Sequence, residues 1–399
     1  MNGSLKFAAP IVLALAFTGC NAGGMSSVPA QGDQSVAPTN QLALSLQGRR
    51  ACPDAHTAGK MQCDAIVERE SAIGPDVAGW QPPSFQARYK LPVTKGSGTI
   101  VAIVDAFDNP NVASDLAAYR TEFGLGTANF TKYNQKGQQK NYPVGNAGWG
   151  TEIDLDVEMV SASCPLCTIY LIEANDNYTN NLYAAEKEAV KLGATIVSNS
   201  YSGGGGSASG GAFDHKGVTY LASAGDSGYG IGDPADYSTV VSVGGTVLSM
   251  SGSPPAYNEM VWPNSGGGCS VVAKPSWQHD PKCSKRTAND TAAVAAGVAL
   301  YDTYQSHGWG TVGGTSVSSP LVAGMYALAG NSTNQDGGKN IWSLKKKKNN
   351  KDFNYISSGK VINCPASLLG TYLCGAGTNQ YGRYSGPDGW GSPKGVGGL

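Results

Sequence analysis

Thr99-Ile-Val-Ala-Ile-Val104 is a continuous apolar run, mostly of β-branched residues. A strand with one face in water would alternate; an unbroken run reads as a strand buried on both faces, as in a parallel sheet. Working outward, runs of the same kind return at residues 168–172, 194–198, 218–222 and 239–243. Helical stretches lie between and after them, at residues 115–123, 180–192 and 316–328. Pro320 is expected in the first turn of the last one, where a missing N–H costs little. Strands alternating with helices predict an α/β fold of three layers around a mostly parallel central sheet, over residues 80–399. Catalytic residues belong on loops at the carboxyl ends of such strands.

The net charge of -1 offers no basic surplus for nucleic acid. Only 14% of residues are charged, against about 25% in a typical soluble protein. Few carboxylates then need neutralising as pH falls, which suits an acid environment. The 55 glycines suit an extracellular protein rich in tight turns.

Lys6 precedes an apolar run at residues 7–17 that is too short to span a bilayer. Phe17-Thr18-Gly19-Cys20 resembles a bacterial lipobox, so residues 1–20 read as a signal peptide with Cys20 as the lipidated residue. Ordinary signal cleavage nearby, for instance after Ala22, is the alternative. Either way the protein is expected to be exported to the periplasm, cell surface or medium, touching membrane only through a lipid on Cys20. Residues 21–79 read as a linker followed by a short N-terminal or pro-segment. Setting Cys20 aside leaves eight cysteines, which fall into neighbours along the chain: Cys52 with Cys63, Cys164 with Cys167, Cys269 with Cys283, and Cys364 with Cys374. A metal reading of Cys164 and Cys167 lacks a second pair at zinc spacing. The basic run at residues 345–348 reads as a solvated loop.

Three strings could carry chemistry. Gly313-Gly-Thr-Ser-Val-Ser-Ser-Pro320 opens a helix, where unpaired N–H groups favour negative charge on a substrate oxygen. Ser316 reads there as a nucleophile or as a capping serine. A nucleophile needs a base, yet none of His56, His215, His279 and His307 lies in a Gly-Thr-His string. Trp149-Gly-Thr-Glu-Ile-Asp-Leu-Asp-Val-Glu158 instead sets Glu152 and Asp156 four residues apart on one helical face. Asp154 and Glu158 fall on another face, and Ile153, Val157 and Val160 form an apolar stripe. A buried carboxyl pair shares a proton over an acid range and works as base and acid there. The alternatives are a solvated acidic face or a calcium loop, which would need a central glycine that this run lacks. Leu221-Ala-Ser-Ala-Gly-Asp-Ser-Gly228 follows a strand and carries Asp226, which by itself reads as a turn aspartate between small residues.

In this order, with Val197-Ser-Asn-Ser-Tyr-Ser-Gly203 and Val243-Gly-Gly-Thr246, the strings resemble the sedolisins, the serine-carboxyl peptidases, in a bacterial exported form. The resemblance covers residues 80–399 and implies a subtilisin-like fold. It further implies a secreted endopeptidase that cuts protein or peptide substrates at acid pH through an acyl-enzyme on Ser316. Glu152 would be its base, Asp156 would orient Glu152, and a protonated Asp226 would help to hold the oxyanion. A substrate strand is expected along Ser200, Tyr201, Ser202 and Gly203 by β-addition. The expectation is a monomer that needs no cofactor.

The chain departs from the family in places. Asp105 stands where subtilisins keep a triad aspartate; without the matching histidine it is expected to support the cleft or bind nearby backbone. The positions of the family's calcium ligands hold Tyr355 and Ser385, with Asp352 and Asp388 nearby. That site is expected to be metal-free, with Cys364 and Cys374 bracing the region. The long pro-domain usual in the family does not fit between Cys20 and residue 80. A second class of reading is a catalytically silent surface-binding lipoprotein on a peptidase scaffold.

Overall fold

The apolar run at residue 99 becomes strand β1 (Ile100–Ala106), six of whose seven residues are buried. A computed structural model of the chain describes residue 1 and residues 48–52, 57–70, 77–205, 209, 211–252, 256–331, 337–344 and 351–399. Cys20, most of the signal-like leader, His56 and the basic run at 345–348 lie outside the described residues.

The other strands of the main sheet are β2 (Asn129–Asn134), β3 (Thr168–Ala174), β4 (Ile196–Asn199), β5 (Thr219–Ser223), β6 (Val240–Ser251), β7 (Ala256–Val261) and β8 (Thr291–Val294). Their order is β7-β6-β5-β4-β1-β3-β2, with β8 also paired to β6. Every pairing is parallel except β6 with β7. The helices are α1 (Pro82–Tyr89), α2 (Val112–Glu122), α3 (Ala147–Ser163), α4 (Thr179–Lys191), α5 (Thr315–Ala329) and α6 (Lys339–Leu344). α3 and α5 pack side by side against the sheet, and α4 packs on β1 and β3. The three-layer α/β arrangement is the expected one. Among the described residues no helix is long and apolar enough to cross a membrane.

Two helices differ from expectation. The apolar stripe predicted for α3 is instead burial on every face, from Trp149 to Ser163. Its second acidic face is therefore structural: Asp154 accepts from Asn109 Nδ2 at 2.7 Å, and Glu158 from the Tyr301 N–H at 3.2 Å. α5 starts at Thr315, so Pro320 is its sixth residue and lies in the helix interior. The carbonyl of Ser316, four residues before Pro320, therefore has no helical N–H to accept.

A second sheet delivers α5. Ile66–Glu70 pairs with Gly308–Gly313, which pairs with Val298–Asp302. Gly314 then caps α5 with φ of 122°, in the region that favours glycine. A Cβ at Gly314 would meet the carbonyl oxygen of Asp64 at 2.0 Å and Asp226 Oδ2 at 2.8 Å. Gly314→Ala is expected to cost about 1–3 kcal/mol and to lower activity as well, read from urea midpoints and peptide hydrolysis. All four expected disulfides are present, joining Cys52 to Cys63, Cys164 to Cys167, Cys269 to Cys283 and Cys364 to Cys374.

Candidate active site

α3 begins where Asn146 Oδ1 accepts the Trp149 N–H at 3.1 Å, a side-chain cap that sets the helix phase. That phase carries Glu152 and Asp156, both fully buried, toward the start of α5. Ser316 is the second residue of α5, and its Oγ lies 3.5 Å from the Ser200 carbonyl just past β4. The Ser316 hydroxyl is near enough to Glu152 to oppose the rise in its pKa. Neither Glu152 oxygen, however, reaches hydrogen-bond geometry with any group. The Ser200 hydroxyl stands in the same relation to Asp156.

Asp226 follows β5. Its Oδ1 accepts from the Thr315 N–H at 2.8 Å and from Thr315 Oγ1 at 2.9 Å, which pins the carboxyl at the mouth of α5. Its Oδ2 is buried without a partner. The fold thus gathers Ser316, Glu152, Asp156 and Asp226, which lie between positions 152 and 316 of the sequence.

Charge in this region is heavily one-sided. Asp105, at the end of β1, is buried without a hydrogen-bond partner, and burial pushes its pKa up to about 8. It joins the carboxyl group more closely than the sequence suggests. Burial first, then the charges of Asp156 and Asp105, raise Glu152 well above the carboxylate range. Burial and Asp105 do the same to Asp156. Burial and Asp64 raise Asp226, against the Thr315 bonds and the Arg50 charge. Carboxyls crowded this way hold protons to higher pH and share them.

Asp64 was not foreseen. Residues 62 and 63 pair antiparallel with residues 202 and 201, and the Asp64 N–H donates to the Ser200 carbonyl at 3.2 Å. The backbone edge at Ser200, Tyr201, Ser202 and Gly203, expected to take a substrate strand, therefore carries a segment of the same chain. The Tyr201 side chain faces the core, where its hydroxyl donates to Asn199 Oδ1 at 2.9 Å and Glu186 Oε1 at 3.2 Å. Only the Cys52 and Cys63 spacing in the sequence pointed to an ordered segment here; strand register across some 140 residues leaves no local pattern. A cavity of about 150 Å³ is lined by Arg49, Thr151, Asp302 and His307 among others, and neither Ser316 nor residues 62–64 line it.

At the C-terminal positions expected to lack calcium, Tyr355 and Ser385 are engaged with other side chains of the chain. Tyr355 bonds Asn379 through its hydroxyl, and the Arg383 guanidinium sits 5.0 Å over its ring. The Ser385 hydroxyl donates to Asp388, whose pKa is raised by burial. Among the described residues, the one trio of carboxylates close enough to share an ion is Asp115, Asp154 and Asp302, around α2 and α3.

The family profile described as the subtilase family, Peptidase S8, matches residues 136–348, from just before α3 to just past α6. The chain belongs to the subtilase family. Sedolisin of Pseudomonas sp. (strain 101) is 25% identical to this subtilase over 427 residues, covering 95% of this chain and 68% of its own. Kumamolisin of Bacillus sp. (strain MN-32) is 26% identical over 333 residues, 73% of this chain and 59% of its own. Within the family the chain is therefore sedolisin-like. In fold, the solved structure of Pseudomonas sedolisin, a serine-carboxyl proteinase complexed with two molecules of pseudo-iodotyrostatin, matches with a TM-score of 0.64 at 24% identity. That match covers 80% of this chain and 96% of the other.

Proposed function

We propose that this subtilase is an exported serine-carboxyl endopeptidase that hydrolyses peptide bonds in acid through an acyl-enzyme on Ser316. The observation that carries the reading is Ser316 at the start of α5, beside the buried Glu152 and the open carboxyl oxygen of Asp226. No described histidine hydrogen-bonds Ser316; His215, for one, is engaged with the Tyr220 hydroxyl at 2.7 Å.

In this reading Glu152 takes the Ser316 proton as Oγ attacks the substrate carbonyl. Asp156 shares the charge with Glu152 and orients it. The protonated Asp226 and the Ser316 N–H hold the oxyanion. Glu152 returns the proton to the leaving amine, and water then releases the acyl group. Proteins and peptides are the substrates, and the working form is a monomer, held at a membrane, if at all, by a lipid on Cys20.

Asp226→Leu removes a donor aimed at the oxyanion and is expected to lower kcat by about 100- to 1000-fold, measured on an acid-cleaved peptide. No calcium is needed in this reading, so the melting temperature is expected to be the same with calcium and with a chelator. Calcium-dependent melting that a chelator abolishes would overturn that part.

A further inference from the structure

Residues 62–64 lie where an extended substrate would lie. In β-addition, main-chain bonds set the register and alternate side chains face pockets. Here the pairing runs Gln62 with Ser202 and Cys63 with Tyr201. The next N–H, that of Asp64, reaches the Ser200 carbonyl at 3.2 Å. Ser316 Oγ approaches that same carbonyl at 3.5 Å. The Asp64 carbonyl oxygen and Asp226 Oδ2 both pack on Gly314, 2.0 Å and 2.8 Å from a Cβ placed there. The register thus brings Asp64, rather than a neighbour, to the serine and the open oxygen of Asp226.

The side chain is held as well. The Asp64 carboxyl is buried and accepts Ser202 Oγ and Ser223 Oγ, each at 2.7 Å. The donors come from two separate elements, the edge strand and the end of β5. Arg50 adds a positive charge nearby, and the Asp226 carboxyl a competing one. A pocket built from paired hydroxyl donors discriminates against side chains that leave them unpaired.

Resting on the reading of Ser316 as nucleophile, we propose that this pocket selects aspartate at the residue whose carbonyl is attacked, and that Asp64 is its built-in occupant. The chain then blocks its own cleft until the peptide bond joining Asp64 to Ala65 is cut. Ser316 Oγ bonds to the Asp64 carbonyl carbon and passes its proton to Glu152. The bond to the Ala65 nitrogen breaks, and that nitrogen takes the proton. Water adds to the acyl group, which leaves with a new carboxyl on Asp64 and restores the Ser316 hydroxyl. Cys52 and Cys63 both precede the cut, so their disulfide does not retain the released piece.

The test takes the full chain and its Ser316→Ala variant into acid, follows their N-termini by sequencing, and profiles the cuts made in a peptide library. The expected result is a new N-terminus at Ala65 that appears with activity and is absent from the variant. Aspartate before the cut should be favoured over leucine by about tenfold or more, and Ser223→Val should lower that ratio several-fold. The profile of the unmodified enzyme decides the matter even if Ser223→Val does not fold. Active enzyme with the bond after Asp64 intact, or a profile favouring apolar residues over aspartate, overturns the inference and leaves the Ser316 chemistry standing. No hydrolysis of any peptide, or equal hydrolysis by Ser316→Ala, overturns both.

Discussion

Ser316→Ala is expected to reduce acid peptide hydrolysis by about 10⁴-fold or more, the scale seen when a catalytic serine is removed from a serine peptidase. The hydroxyl lies both beside Glu152 and 3.5 Å from the Ser200 carbonyl. Its removal deletes the covalent step and leaves the buried carboxyls in place. Glu152→Gln should cost nearly as much, because an amide cannot take the proton. The double variant should then be little worse than either single one, since the two residues act as one unit. Equal rates for Ser316→Ala and the unmodified protein, at unchanged melting temperature, would instead favour a silent binding protein on this scaffold.

Stability is expected to fall as pH rises from about 4 to 8, the reverse of an ordinary acid-denatured protein. The cause is burial of carboxyls without enough counter-charge. Burial raises Asp64 to about 6, Asp236 to about 7, Asp105 and Glu68 to about 8, and Glu173 to about 9. In the unfolded chain these groups lose protons near their ordinary values, about 4. Between that point and the folded value the folded state binds more protons, so each unit of rising pH removes stability. The contribution is complete below the unfolded value and is lost progressively above it, the loss ending as each group passes its folded value between about 6 and about 9. The net loss should be on the order of several kcal/mol. Urea midpoints at several pH values measure it, and a midpoint that rises toward neutral pH would refute the account. In the proposed mechanism the same chemistry limits activity, because Asp226 donates only while protonated.

Much of the architecture was legible because its signals are local. A buried parallel strand needs apolar residues on both faces, and the runs at 99–104 and 168–172 say so without knowledge of their partners. Glu152 and Asp156 share a face because 3.6 residues make a turn. Cysteines ten or so residues apart meet because short loops close readily. Pro320 lies one residue deeper in α5 than the expected start at residue 316 implied, because the helix begins at Thr315, directly after Gly314, whose conformation answers to Asp64 and Asp226 packed against it.

By itself, then, the sequence determined the alternation of strand and helix, the disulfide neighbours, and the serine and carboxyls available for chemistry. Tertiary structure alone decided that α3 is buried on every face, that Asp105 stands unpartnered among the acids, and that residues 62–64 occupy the edge at Ser200. The physical reason is range. Periodicity tells a residue which way it faces, whereas the identity of what it faces, and so its pKa and its access to substrate, is set by segments far away along the chain.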